Sequence, residues 1–215
     1  MTVTAALAAA GALAAAIAVG LVVALHLLPT GLDPTRNAVS QYGRTRFARL
    51  YQGQVIASGA AGLLLAAALL SAGVRRPLPL IAIAAYGLAR LVIAWNPMDL
   101  IGEAPTPAGR NHVWLALVAF AGVAIAAIPL TDTLARAGGG ALTNLVVAVA
   151  PAVPITAVLM FGSRLIVAVL MSSSRRVSAE DGRFGLLERL FYVAAFAWLL
   201  LATCSLAVAG VAPGG

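Results

Sequence analysis

Lysine is missing from this 215-residue chain, and all 14 of its basic residues are arginine. Acidic residues number 7, histidines 2, and there is a lone cysteine, Cys204. Each scarcity excludes something. One cysteine makes no internal disulfide and no two-cysteine metal site. Within the last apolar run, Cys204 reads as a small apolar filler. Charged residues are 10% of the chain, whereas soluble domains sit near about 25%, so an ordinary soluble fold is excluded. The net charge of +7 would suggest nucleic acid in a soluble protein. No basic helix and no aromatic platform supports that partner here, and the charge reads instead as membrane topology and attraction to anionic lipid. The absence of lysine reads first as codon bias.

What fills the chain is apolar: 62% of residues are hydrophobic and the mean hydropathy is +1.00. Runs of about 18 or more apolar residues mark transmembrane helices, because about 20 residues at about 1.5 Å rise cross the hydrocarbon. The pattern predicts an all-α integral membrane bundle, one domain over 1–215. Its six helices fall at about 4–28, 49–73, 78–96, 112–131, 142–170 and 186–210. The first run has no basic residue before Arg36 and is longer than a signal-peptide core, so it reads as a retained helix. Pro77 and Pro79 suit the first turn of the third helix. Pro151 and Pro154 fall within the fifth and predict a kink. Abundant Ala and Gly, including Gly59 and Gly62, allow close helix approach.

Six spans put both ends of the chain on one face, side A, with short plain loops. The opposite face, side B, carries the long polar segments 29–48, 97–111 and 171–185. Side B loops hold Arg36, Arg44, Arg46, Arg49, Arg110, Arg175, Arg176 and Arg183, against Arg75, Arg76 and Arg136 on side A. That count places side B in the cytoplasm, unless its arginines belong to a binding site.

The polar residues within the spans lean the same way. His26 ends helix one, Arg90 lies about 9 Å inside helix three, and His112 opens helix four. Arg164 lies near the end of helix five, and Glu188, Arg189 and Tyr192 lie in the first turns of helix six. The side A halves of the spans carry no ionisable residue. A buried arginine needs a partner, water or a ligand, and the side B carboxylates Asp33, Asp99, Glu103 and Glu188 are the available partners. The pattern predicts a one-sided polar pocket, with Asp33, Arg36, Ser40 and Tyr42 forming its rim.

Four segments carry a resemblance: DPTRNAVSQYG at 33–43, WNPMDLIG at 95–102, GRNH at 109–112 and LLERLFYVAAFAW at 186–198. With them the chain resembles a bacterial membrane-protein family catalogued as domain of unknown function nine hundred ninety-eight. In that family a D-P-x-x-x-x-x-S segment follows helix one, a P-x-D follows helix three and a G-x-x-H opens helix four. This chain departs from it with Asn96 before Pro97, where an apolar residue is expected, and with Glu188 in place of Gln. The resemblance implies six helices, a bacterial inner membrane and basic side A loops, which would put side B outside the cytoplasm. It implies no activity.

The function expected is recognition of an anionic lipid-like or isoprenoid ligand, with chemistry on it as an extension. Arg36, Arg90, Arg110, Arg164 and Arg189 would supply forked donors, with Ser40, Tyr42 and Tyr192 beside them. His26 or His112 would act as general acid or base, oriented by Asp33, Asp99 or Glu188. The alternatives are a structural or accessory subunit whose polar cluster only packs, and a small-solute transporter. The transporter is disfavoured by the plain side A. No metal site is assigned and the cofactor is left unknown. Two histidines with a carboxylate would suit zinc, and two axial histidines would suit haem. Membrane lipids are the expected partners, and the oligomeric state is open.

Overall fold

A computed structural model describes residues 2–100, 102–138, 140–170 and 184–209. Its helices are α1 (Val3–Leu27), α2 (Ala48–Ser71), α3 (Pro77–Ile93), α4 (Pro107–Ala137), α5 (Ala141–Val149), α6 (Ala152–Leu170) and α7 (Phe184–Ala209), and a 3-10 helix spans Val39–Arg44. There is no strand among the described residues. Five segments are long and apolar enough to cross a membrane: α1, α2, α4, α5 continuing into α6 as far as Ser163, and α7. The sixth, α3, is apolar but only 17 residues long. The molecule is a membrane helical bundle of about six spans.

The helix ends differ from expectation for local reasons. α4 begins at Pro107 instead of residue 112, because the Thr106 hydroxyl accepts from the Gly109 N–H and Pro107 takes the first helical position. It also runs on to Ala137, which places Asp132 and Arg136 in its side A end. The side A halves are therefore not free of charge. The expected kink in the fifth span is a break, with α5 ending at Val149 and α6 starting at Ala152 across Pro151. α3 stops at Ile93 instead of 96, so Arg90 lies one turn from its end. The segment SSSRRVSAEDGR at 172–183, with Arg175, Arg176 and Arg183, lies outside the described residues.

Neighbours in sequence pack as neighbours in space: α1 on α2, α2 on α3, α3 on α4. α7 closes the bundle, touching α1, α2, α4, α5 and α6. Small residues set the spacing of α2, α3 and α4. A Cβ built on Gly59 would lie 2.7 Å from the Gly87 carbonyl oxygen, and one on Gly122 would lie 2.6 Å from that of Ala82. With backbones this close, dispersion and shape hold helices together where lipid offers no hydrophobic drive. Trp198 is fully buried, its indole N–H donating to Thr131 at 2.9 Å, whereas Trp95 and Trp114 are exposed near side B.

Candidate functional site

Side B holds a cavity of about 470 Å³ between α4, α6 and α7, closed above by the segments after α1 and α3. Its walls are mostly apolar, with Phe120, Met160 and Leu117 among them. Its polar groups are Ser40, Arg90, Asp99, Arg110, His112 and Glu188, with the Tyr51 and Tyr192 rings. Sequence reasoning placed most of this set on one face, and the fold brings it around one space.

Arg90 is the most buried of these, at 2% exposure. Its Nε donates to Ser58 Oγ, Nη1 to the Tyr192 hydroxyl and Nη2 to Gln54 Oε1, each at 2.9 Å. The guanidinium also lies 5.4 Å from the centre of the Tyr192 ring, within cation–π range. All of these partners are neutral. None of the expected carboxylates reaches it, and among the described residues it forms no ion pair. Ser58 and Gln54 were not anticipated. The signal was present, since two polar side chains four apart in an apolar span share one helix face, and that face meets α3. Among the described residues, Gln54 Nε2 and the Tyr86 hydroxyl are buried beside this cluster without a hydrogen-bond partner.

His112 lies on the cavity wall with Nδ1 2.7 Å from the Asn96 carbonyl oxygen. A carbonyl only accepts, so Nδ1 carries the hydrogen and Nε2 keeps its lone pair. The orienting group is a backbone carbonyl, not the expected carboxylate. Asn96, unexpected at its position in the family pattern, supplies that carbonyl through its backbone, which any residue provides.

The carboxylates turn out to be loop-builders. Asp99 accepts from the Thr106 N–H at 2.8 Å and from its hydroxyl at 2.7 Å. These two bonds, backbone first, hold its carboxyl below the ordinary range. Gly109 is packed so tightly on Asp99 that a Cβ there would overlap the carboxylate. The P-x-D and G-x-x-H pieces are therefore one unit: Asp99 fixes Thr106, Thr106 caps α4, Gly109 leaves room, and His112 emerges one turn later at the cavity. Asp33 does similar work. Its Oδ1 accepts from the Thr35 hydroxyl and N–H, both at 2.8 Å, and the hydroxyl bond is the larger cause of its lowered pKa. Its contact with Arg36, 3.7 Å between exposed side chains, is a surface pair of small worth. Glu188 is buried, and its Oε2 accepts from the Val39 N–H at 2.7 Å.

His26, Tyr42 and Arg189 form a second cluster on the other side of α7. Arg189 donates from Nε to His26 Nε2 at 2.7 Å, from Nη1 to the carbonyls of Asn37 (2.7 Å) and Gly185 (2.9 Å), and from Nη2 to the Tyr42 hydroxyl at 3.2 Å. The two histidines thus occupy separate sites, which gives no support to a shared haem or zinc. Among the described residues no group of three histidine, cysteine or acidic side chains is placed to hold a metal. Arg164 lies on α6, with its side chain outside the described residues.

A family model described as "Protein of unknown function (DUF998)" matches residues 8–205. The chain belongs to the DUF998 family. No curated protein matches it, and no solved structure does. The DUF998 motifs read from the sequence are, in this fold, the two loop units that roof the side B cavity and the first turns of α7 beneath them.

Proposed function

We propose that this DUF998 protein recognises an anionic amphiphile, of the lipid or isoprenoid class, in the side B cavity. The observation that carries the proposal is Arg90: a fully buried cation, on the wall of a largely apolar cavity, held among the described residues by neutral oxygens. A buried charge is costly unless it is compensated. Three hydrogen bonds leave two of the five guanidinium N–H groups for a further acceptor. The two carboxylates on the same wall, Asp99 and Glu188, already accept from Thr106 and from Val39. Arg110 adds a second cation at the mouth. Exposed apolar side chains on α4, Val113 and Leu117, border the cavity on the hydrocarbon side, where a lipid tail would enter. The membrane on this reading is the bacterial inner membrane.

A second reading, chemistry on the same ligand, is favoured by His112, whose Nε2 lone pair is fixed by the bond at Nδ1 as a general base requires. An accessory subunit remains the competing class. The test is native mass spectrometry of protein purified in non-ionic detergent and supplied with mixed anionic and zwitterionic lipids. The wild type retains an anionic species, and Arg90→Gln and Arg110→Gln each lose it by roughly tenfold, as expected for a charge-assisted bond worth about 1.5–3 kcal/mol. Equal retention in folded Arg90→Gln protein overturns the proposal. A product mass formed by the wild type and not by His112→Gln separates enzyme from binder.

A further inference from the structure

The segment after α1 is a strap between two cavities. Ala38 and Ser40 line the side B cavity, whereas Val39 lines a separate apolar groove of about 540 Å³ between α1 and α7. The strap is bound to α7 at successive points. Thr35 gives its carbonyl to the Leu186 N–H at 3.1 Å, in the first turn of α7, where N–H groups lack helical partners. A Cβ on Gly185 would lie 2.6 Å from the Asn37 carbonyl oxygen and 2.8 Å from that of Pro34. Glu188 holds the Val39 N–H, and Arg189 holds the Asn37 carbonyl and the Tyr42 hydroxyl.

One of these attachments depends on a proton. The Arg189 Nε–H can only donate, so His26 Nε2, 2.7 Å away, must present a lone pair. The other ring nitrogen, Nδ1, lies 2.6 Å from the Val22 carbonyl oxygen and so carries the hydrogen. The bond exists only for neutral His26 in that tautomer. A second proton removes the acceptor and sets an imidazolium directly against a guanidinium. The groups facing His26 reinforce this. α7 brings Arg189, the 3-10 helix brings the Tyr42 ring at 5.3 Å, and α2, also packed on α1, carries the exposed Arg49 in its first turn, a further cation and not an offsetting charge. Among the described residues no carboxylate acts on the imidazole to offset the added charge.

We propose that His26 and Arg189 form an acid-released latch that holds the 33–44 strap against α7. With the latch closed, the strap is the common wall of the cavity and the groove. With it open, Arg189 swings from the imidazolium, its bonds to Asn37 and Tyr42 go with it, and the part of the cavity roof formed by Ala38 and Ser40 loosens, while the strap keeps its attachments to α7 through Thr35 and Glu188. A doubly protonated ring has no lone pair to offer, so the latch is closed while His26 is neutral and opens on acidification. The device follows from the polarity of the bonds and is independent of what the cavity binds.

The test uses the full chain in detergent micelles, labelled with 15N histidine; with only 2 histidines, His112→Gln assigns the spectrum. At pH 8 His26 shows the Nδ1–H tautomer with Nε2 unprotonated. In parallel, a nitroxide at Arg36→Cys in a Cys204→Ala background reports the strap: its mobile component goes from minor at pH 8 to dominant at pH 5, with the midpoint of the His26 titration. His26→Gln, which accepts through Oε1 and does not titrate, keeps the strap ordered across the range, and His26→Ala leaves it mobile throughout. An Nε2–H tautomer, a strap indifferent to pH, or a response that persists in His26→Gln overturns the proposal. If the His26 variants fail to fold, the wild-type tautomer and the coincidence of the two midpoints still decide it.

Discussion

At the scale of single residues, Arg90 is the position on which most depends. Its guanidinium bonds Ser58, Gln54 and Tyr192 at once, so truncation orphans the Gln54 carbonyl oxygen and the Tyr192 hydroxyl, each at a cost of about 1–3 kcal/mol, whereas Ser58 keeps its bond to the Val55 carbonyl. Arg90→Ala is expected to destabilise the protein by about 2–5 kcal/mol, from the orphaned acceptors and the cavity left by the side chain. Arg90→Lys falls between, because one ammonium cannot match the planar fork. Denaturant unfolding in micelles measures this, and a loss below about 1 kcal/mol for Arg90→Ala would mean the three bonds are not made. The sequence pointed to Arg90, because an arginine in an apolar span is conspicuous. Its partners were less legible. Carboxylates were expected by charge, but Asp33 and Asp99 are committed to Thr35 and Thr106 in their own loops. The Asp33 bonds are readable from D-x-T spacing only once the turn is known, and the Asp99 bonds span seven residues and carry no such spacing. His26 and His112 share a side but not a site, since the rotation of α1 and α4 about their axes is set by tertiary packing.

At the scale of elements, apolar run length located the spans to within a few residues. The errors fell where local chemistry overrides hydropathy: the Thr106–Pro107 start of α4 and the Pro151 break. Helix spacing was legible as composition but not as contacts. Gly59 and Gly87 face each other, each placed so that a Cβ would meet the other's carbonyl oxygen, at 2.7 and 2.8 Å. Gly20 on α1 has nothing within 4 Å of its Cβ position. The two settings predict opposite outcomes for one substitution. Gly59→Ala forces α2 from α3 and costs about 1–3 kcal/mol. Gly20→Ala gains about 0.5–1 kcal/mol by stiffening the helix. Paired unfolding curves check both. Equal shifts at the two sites would mean that α2 and α3 do not pack through their glycines.

At the scale of the whole molecule, the two faces differ in kind, and pH separates their contributions. Side A is tied by bonds that do not titrate in the working range, such as Thr4 to Ser71 at 2.8 Å, Thr143 to Ser205 at 2.9 Å and Arg76 to the Pro129 carbonyl at 2.7 Å. Side B rests on ionised loop groups. Hydrogen bonds from Thr35 and from Thr106 hold the Asp33 and Asp99 carboxyls below their ordinary value of 3.8. The folded protein therefore favours their ionised forms. Their contribution is complete above the ordinary carboxyl range, and it is lost as pH falls through the lowered values. Asp33 and Asp99 therefore stay ionised through mild acidification, so a change in side B at milder acidity comes from other groups, and His26→Gln tests whether His26 is the one. Below about pH 4 the loops themselves loosen. Thermal unfolding of the micellar protein across pH 3–8 is thus expected to show two limbs. The acid limb flattens in Asp99→Asn, which cannot gain a proton. The limb at milder acidity is absent from His26→Gln. One continuous decline, unchanged by either substitution, would mean that the two loop units and the α7 attachment are not separately built. It would remove the physical basis for treating side B as a roof over a site.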